Sequence, residues 1–281
     1  MTVNTDLKNK FHPKRLNPNK QLPPVHPWNY DNKQWTKLPG YLKHLPLFTR
    51  HIDFVSIFFR FLWANLLKQI IFRFYIRLKV KGSFEEVFKS NPRLLVISNH
   101  ASHLDAVSIA AAIPQKYWLH LYIAAAKDYF FSNPLFTFFS QHCLGAIPID
   151  RKSKKNEAVQ LILTLLKNIS PIWLIIFPEG TRSKDGSINP FKRGVSLFSE
   201  QSQTPILFLF LEGNADLMPK GSLPRPGKLI MHIGPVQQPA PIDEVYKNYK
   251  TWVKSFSDAK FSDDLKAAQE KAKEVINPPQ D

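Results

Sequence analysis

Apolar residues along this chain fall into short, nearly continuous runs separated by polar or helically patterned stretches. The runs Leu94–Ser98, Leu119–Ala124, Ala146–Ile149, Trp173–Phe177, Ile206–Leu211 and Lys228–Ile233 are four to six residues long and rich in Ile, Leu and Val. That length and composition suit buried strands. Between them, Asp105–Ala112 and Glu157–Leu166 carry helical patterning. Strands alternating with helices predict an α/β domain over residues 82–240, with a central, mostly buried sheet layered with helices.

The flanks read differently. Residues 1–45 contain Pro23-Pro24, His26-Pro27 and Leu38-Pro39 among Asn and Lys, which predicts an extended arm rather than a helix. No apolar core of a signal peptide occurs there. Residues 46–81 are helical in pattern to about residue 78. Phe54, Ile57, Phe58, Phe61, Leu62, Leu66, Ile70, Phe72 and Phe74 are interleaved with Arg60, Asn65, Lys68, Arg73 and Arg77. A transmembrane span needs about 18 or more residues nearly free of charge, so this segment does not qualify. It fits an amphipathic helical segment lying in a membrane headgroup region, and it also fits a helix packed on the protein's own core. The coincidence of aromatics with cations favours the membrane. Residues 241–281 are expected to form a C-terminal helical tail, with Asp258–Val275 as a charged, solvated helix.

Charge sharpens this picture. The formal net charge is +16, and residues 1–81 hold fifteen Lys/Arg against three acidic residues, which is +12 of it. Such a basic block attracts nucleic acid, anionic membranes or phosphate-bearing substrates. No finger or stacking-strand motif accompanies it, so nucleic acid is not the expected partner. The single cysteine, Cys143, lies in an apolar run and excludes an internal disulfide or a Cys-based zinc site.

His-x4-Asp is the first chemical signal. With nine His and thirteen Asp in 281 residues, roughly 0.4 matches arise by chance, so spacing alone carries little. Two occur. His26…Asp31 sits in the Pro/Asn-rich arm with nothing rigid to hold it. His100…Asp105 follows a predicted strand and opens a predicted helix. Five residues apart, the two side chains diverge on a regular strand or helix, whereas a strand-to-helix corner can bring them together. There Asp105 can accept the Nδ1–H of His100 and leave Nε2 as a general base. Ser102-x-x-Asp105 is equally a capping-box spacing, so Asp105 could serve only the helix start. His103 is expected to pack or face solvent.

Two further strand ends carry charge. Phe177-Pro178-Glu179-Gly180-Thr181-Arg182-Ser183, with Lys184, Lys192 and Arg193 close behind, combines a turn with hydroxyl, amide and guanidinium donors. Such a loop suits a phosphate, or is an ordinary basic turn. Gly145-Ala146-Ile147-Pro148-Ile149-Asp150-Arg151 ends in a charged pair that means little alone.

In order, Asn99-His100-x-Ser102-x-x-Asp105, Gly145-x-Ile147-x-x-Asp150-Arg151, Phe177–Ser183 and Thr204-Pro205-Ile206 resemble the four motifs of the glycerophospholipid acyltransferase family. The likeness is greatest to 1-acyl-glycerol-3-phosphate acyltransferases and covers about residues 80–235. At the third block, six matched residues would arise by chance in roughly one such chain per hundred thousand. Phe191-Lys192-x-Gly194 also resembles the segment that follows that motif.

The resemblance decides Asp105 for catalysis and implies His100 as base with Asp105 as its orienting partner. It implies Arg151, Glu179, Gly180, Thr181, Arg182 and Lys192 as acceptor- or phosphate-binding residues, with Pro205 shaping the site from the next strand. The expected partners are a lysophospholipid, an acyl thioester (acyl-CoA or acyl-carrier protein) and an anionic membrane surface. No metal or resident cofactor is expected. Many relatives carry clear apolar transmembrane helices, whereas this chain has a basic, interrupted segment, so peripheral or monotopic attachment at the cytoplasmic face of a membrane is expected.

Overall fold

The computed structural model describes residues 54–126, 138, 140, 142–149, 157–218 and 222–265. It divides into two compact units, one drawn from the chain up to Trp63 and Gln115–Leu174, the other from Ala64–Pro114 and residues from Ile175 onward.

The second unit holds four strands: β1 (Ile76–Lys81), β2 (Arg93–Ser98), β6 (Ile206–Glu212) and β7 (Gly227–Gln237). They lie in the order β1-β7-β6-β2. β1 runs parallel to β7 and β2 parallel to β6, while β6 and β7 are antiparallel. Leu94–Ser98 and Ile206–Leu211 are buried throughout, as expected of strands covered on both faces. Each strand delivers a short helix or turn: α2 (Phe84–Ser90) after β1, α3 (Asp105–Ala112) after β2, α6 (Asn214–Leu217) after β6 and α7 (Ile242–Lys254) after β7. Helix α5 (Gly194–Ser202) leads into β6.

α7 falls within the stretch expected to be a helical tail, residues 241–281. Its buried residues, Val245, Tyr249 and Val253, are spaced four apart and form one face. The Tyr249 hydroxyl donates to the Leu209 carbonyl of β6 at 2.9 Å. Its ring packs edge-on against Phe208.

In the other unit, β3 (Leu121–Ala126) pairs in parallel with β4 (Ala146–Ile149). A 3-10 turn, Gln115–His120, precedes β3 and takes the first two residues of the expected strand. Helix α4 (Glu157–Asn168) follows, and β5 (Ile172–Ile176) carries the chain from this unit into the other. Arg60 is buried, donates to the Trp118 carbonyl at 2.8 Å, and lies where a Cβ on Gly145 would stand 2.6 Å from its guanidinium. With φ at +63° as well, position 145 is restricted to glycine.

The expected α/β class with a central sheet layered with helices is borne out, and the structure shows that sheet to be mostly parallel. The N-terminal helix ends earlier than its pattern suggested: α1 (Phe54–Leu66) continues as a π-helical stretch, Leu67–Tyr75, and stops there. Ile76–Lys81 alternates apolar and basic residues, the period of a strand, and β7 supplies its hydrogen-bonding partner. The Lys68 ammonium of the π-helical stretch donates to the Ile113 carbonyl at the end of α3. Of the expected charged tail helix, Asp258–Lys260 is irregular, Phe261 bridges to Ile188 and residues 262–265 are helical; residues beyond 265 lie outside the described residues. No helix among the described residues is long and apolar enough to cross a membrane.

Candidate active site

The site grows from the carboxyl end of β2. Asn99 is buried and uses its side-chain amide as a peptide would: Nδ2 donates to the Leu211 carbonyl at 3.0 Å, and Oδ1 accepts the Leu211 N–H at 2.8 Å. This prolongs the β2–β6 ladder by one step and holds the chain as it turns at His100.

The turn brings His100 Nδ1 to 2.8 Å from Asp105 Oδ2. The same oxygen accepts the Ala101 and Ser102 backbone N–H groups at 2.8 and 2.9 Å. The Ser102 hydroxyl in turn accepts the Leu104 N–H at 3.2 Å. Asp105 therefore closes the helix start and orients the imidazole at once. The two readings of the spacing are compatible because one carboxylate oxygen serves both. Asp105 is 1% exposed while the His100 side chain is 20% exposed, so the ring alone reaches solvent. A carboxylate fixed by backbone donors acts as acceptor, which makes Nδ1 the protonated nitrogen and leaves Nε2 with its lone pair.

Two further elements hold this pair. The Phe177 ring stacks on the His100 ring with centroids 3.9 Å apart and planes 14° from parallel. Glu179 Oε1 accepts the His100 N–H at 2.8 Å, and Ser183 N–H donates to the His100 carbonyl at 2.7 Å. The other Glu179 oxygen accepts both the backbone and side-chain N–H of Asn189, at 3.0 and 2.9 Å. Glu179 is 3% exposed. Burial pushes its carboxyl up from an ordinary 4.5 to about 7, against the hydrogen bonds from Asn189 and His100 that favour the charge. On the opposite side, Asn214 at the start of α6 donates to Asp105 Oδ1 at 2.9 Å. Asn214 lies outside every sequence motif, and no local signal marks it.

The remaining candidates are placed as follows. Gly180 turns the loop at φ +71°, with its N–H bonded to the Phe177 carbonyl at 3.0 Å. The Lys192 side chain lies over it, 2.7 Å from where a Cβ would stand. Thr181 and Lys192 are exposed and Arg182 is half-buried. Burial first, then the charges of Arg182 and His100, hold the His103 imidazole below its ordinary range, so His103 belongs to the same corner. Pro205 does not come near: its carbonyl bonds Leu95 N–H at the opposite end of the strands, roughly six residues or about 20 Å from His100. Arg151, His26 and Asp31 lie outside the described residues.

Residues 79–210 match the Acyltransferase family model. A chloroplastic 1-acyl-sn-glycerol-3-phosphate acyltransferase, BAT2, of Brassica napus is 28% identical over 178 residues, which is 63% of this chain and 48% of that protein. A 1-acyl-sn-glycerol-3-phosphate acyltransferase of Limnanthes douglasii is 34% identical over 162 residues, covering 54% of this chain and 51% of that one. The chain thus spans about half the length of the curated relatives it matches. Among solved structures, the 1-acyl-sn-glycerophosphate acyltransferase PlsC of Thermotoga maritima superposes with a TM-score of 0.56, covering 71% of this chain and 79% of that one. At 24% identity, that likeness is one of fold.

Proposed function

We propose, on the match of residues 79–210 to the Acyltransferase family model, that this protein transfers a fatty acyl group from a thioester to the free hydroxyl of 1-acyl-glycerol 3-phosphate, making phosphatidic acid. The observation that carries this reading is the His100–Asp105 pair, a partly exposed imidazole whose Nδ1 is held at 2.8 Å by a buried carboxylate.

In the proposed mechanism Nε2 of His100 takes the acceptor's hydroxyl proton as its oxygen attacks the thioester carbonyl. Asp105 stabilises the imidazolium that forms. Collapse of the tetrahedral intermediate breaks the carbon–sulfur bond, and the imidazolium returns its proton to the leaving thiolate. A general base of this kind contributes about 10²–10⁴-fold in rate. In this reading the acyl group passes directly to the acceptor hydroxyl, without an acyl-enzyme.

Arg182, with Thr181 and Lys192 on the exposed rim of the loop, supports a site for the acceptor's phosphate, and Arg151 is assigned to the same role. A guanidinium can hold a phosphate through two parallel hydrogen bonds. Glu179 supports a different role from theirs: buried, with both oxygens engaged, it positions the His100 backbone rather than touching substrate. Gly180 supplies the turn. The exposed aromatics of α1 support attachment to an anionic membrane surface at the cytoplasmic face.

The test is an acyl-transfer assay offering lysophosphatidate, glycerol 3-phosphate and a lyso-ornithine lipid, each with acyl-CoA and acyl-carrier-protein donors. Lysophosphatidate should be the preferred acceptor. His100→Ala should lower kcat at least about 100-fold with the fold intact, while His26→Ala should be silent. Activity that survives His100→Ala would overturn the mechanism.

A further inference from the structure

The strand directions place a second feature on the catalytic edge of the sheet. His100 leaves the carboxyl end of β2, two residues past the Ser98–Leu209 pair, and so stands level with Leu211 of β6. Leu211 pairs with Met231 of β7, and Met231 with Val80 of β1. Because β7 is antiparallel to β6 and β1 is parallel to β7, the strands β1 and β7 begin on the side where β2 and β6 end. They begin four residues further out, at the Ile76–Gly227 pair, so they project about 13 Å past the level of His100.

The segments leading into these two strands are apolar and unusually exposed. Phe74 is 76% exposed and Leu223 is 82% exposed, with Tyr75 beside them also exposed. The two segments are joined: the Tyr75 hydroxyl donates to the Pro224 carbonyl at 2.6 Å. Arg225 N–H donates to the Leu217 carbonyl at 2.7 Å. Arg73, Arg77 and Arg225 lie within two residues of these side chains along the chain and are exposed. Arg73 lies 6.0 Å from the centre of the Phe74 ring. Projecting apolar tips on a segment rich in exposed arginine match an anionic bilayer, where the tips enter the acyl boundary and the cations meet the phosphates.

We infer that this corner, Phe74 and Tyr75 with the Leu223 loop, is a membrane-insertion point of its own, seating the catalytic edge of the sheet on an anionic phospholipid surface. The inference rests on the proposed lysophospholipid activity and goes beyond it by assigning a docking role to a loop that precedes β7, far in sequence from the N-terminal helix. It also gives the acceptor a route: a lipid still in the bilayer need rise only about the projection of the β1–β7 corner to bring its hydroxyl to His100. A second copy of the chain is the competing occupant, and the three exposed arginines of these segments disfavour it, since like charges would meet across a symmetric contact.

The test uses the full chain with vesicles of phosphatidylcholine containing phosphatidylglycerol. Leu223→Asp should weaken vesicle binding about tenfold or more, the cost of losing one inserted leucine. Leu223→Trp should bind at least as tightly as wild type. Cys143 is buried, so Leu223→Cys can be labelled selectively with an environment-sensitive fluorophore, whose emission should shift to the blue and brighten on vesicles. Unchanged affinity of Leu223→Asp together with an unshifted fluorophore would overturn the inference. So would a change in self-association in place of vesicle affinity. Activity in detergent micelles separates the two readings: wild type inactive on lysophosphatidate there defeats the proposed function whatever the vesicles show.

Discussion

Asp105 illustrates how much one side chain can be asked to do. One of its oxygens meets His100 Nδ1 and two backbone N–H groups, and the other is left for Asn214. Removing Asn214 leaves a buried carboxylate oxygen without its donor, a loss of about 1–3 kcal/mol. Asn214→Ala should therefore lower kcat about tenfold with little change in either KM, since Asn214 contacts Asp105 and not a substrate-facing group. Asn214→Asp should be worse, because a second carboxylate would face the first. Steady-state kinetics with both substrates varied reads the split; a defect confined to KM would remove Asn214 from the positioning role. Glu179 yields a pH test. Its folded pKa, about 7, exceeds its ordinary 4.5, so between these values the native state holds a proton that the unfolded state has lost. The group's contribution to stability is full below about pH 4.5 and is lost as pH rises to about 7. Unfolding free energy of wild type relative to Glu179→Gln should fall by roughly 3 kcal/mol across that window and level off above it. Parallel profiles would show that Glu179 does not titrate in this way.

At the scale of elements, the α1 helix and the π-helical stretch behave as two faces. Ala64, Leu67 and Phe72 are buried, whereas Phe58, Phe61, Leu62, Leu66, Ile70 and Phe74 are exposed. Phe72, read as one of the apolar series, belongs to the inner face. Core packing thus accounts for one side of the segment, and the exposed side is the one proposed to meet a membrane. Replacing Phe58, Phe61 and Leu62 with Ser should release the protein from anionic vesicles while leaving its thermal transition nearly unchanged, because exposed side chains contribute little to the folded state. Co-sedimentation and melting curves measure the two effects. A large drop in Tm with binding intact would mean that this face packs against the protein itself.

The whole molecule is an uneven distribution of charge around an apolar framework. Residues 1–81 carry +12 of the net +16, and each cation near an anionic surface contributes on the order of 1 kcal/mol, screened by salt. Apolar insertion is not screened. High salt should weaken vesicle binding without abolishing it, and deleting residues 1–45 should matter less than the triple serine replacement in α1. Complete release by salt alone, measured by flotation, would exclude insertion.

Local chemistry was legible in the chain before any fold was known. β4 and α3 stand at the expected residues, and β2 and β6 within one residue of them, because uninterrupted Ile/Leu/Val runs and a corner cap are decided by neighbouring residues. At the His100–Asp105 corner the spacing allowed either a pair or a helix cap, and the family resemblance chose between them. β1 was misread as helix, because its hydrogen bonds come from β7, about 150 residues away. Glu179 carried the letters of a ligand-binding loop, and only the fold turned it inward beneath His100. Asn214 was silent until β6 delivered it, 109 residues on, to Asp105. Pairing between distant segments depends on strand order and direction, which no periodicity encodes. Folding was therefore needed to settle which side chains hold His100 and Asp105, and to bring the start of β7 to the edge that carries His100.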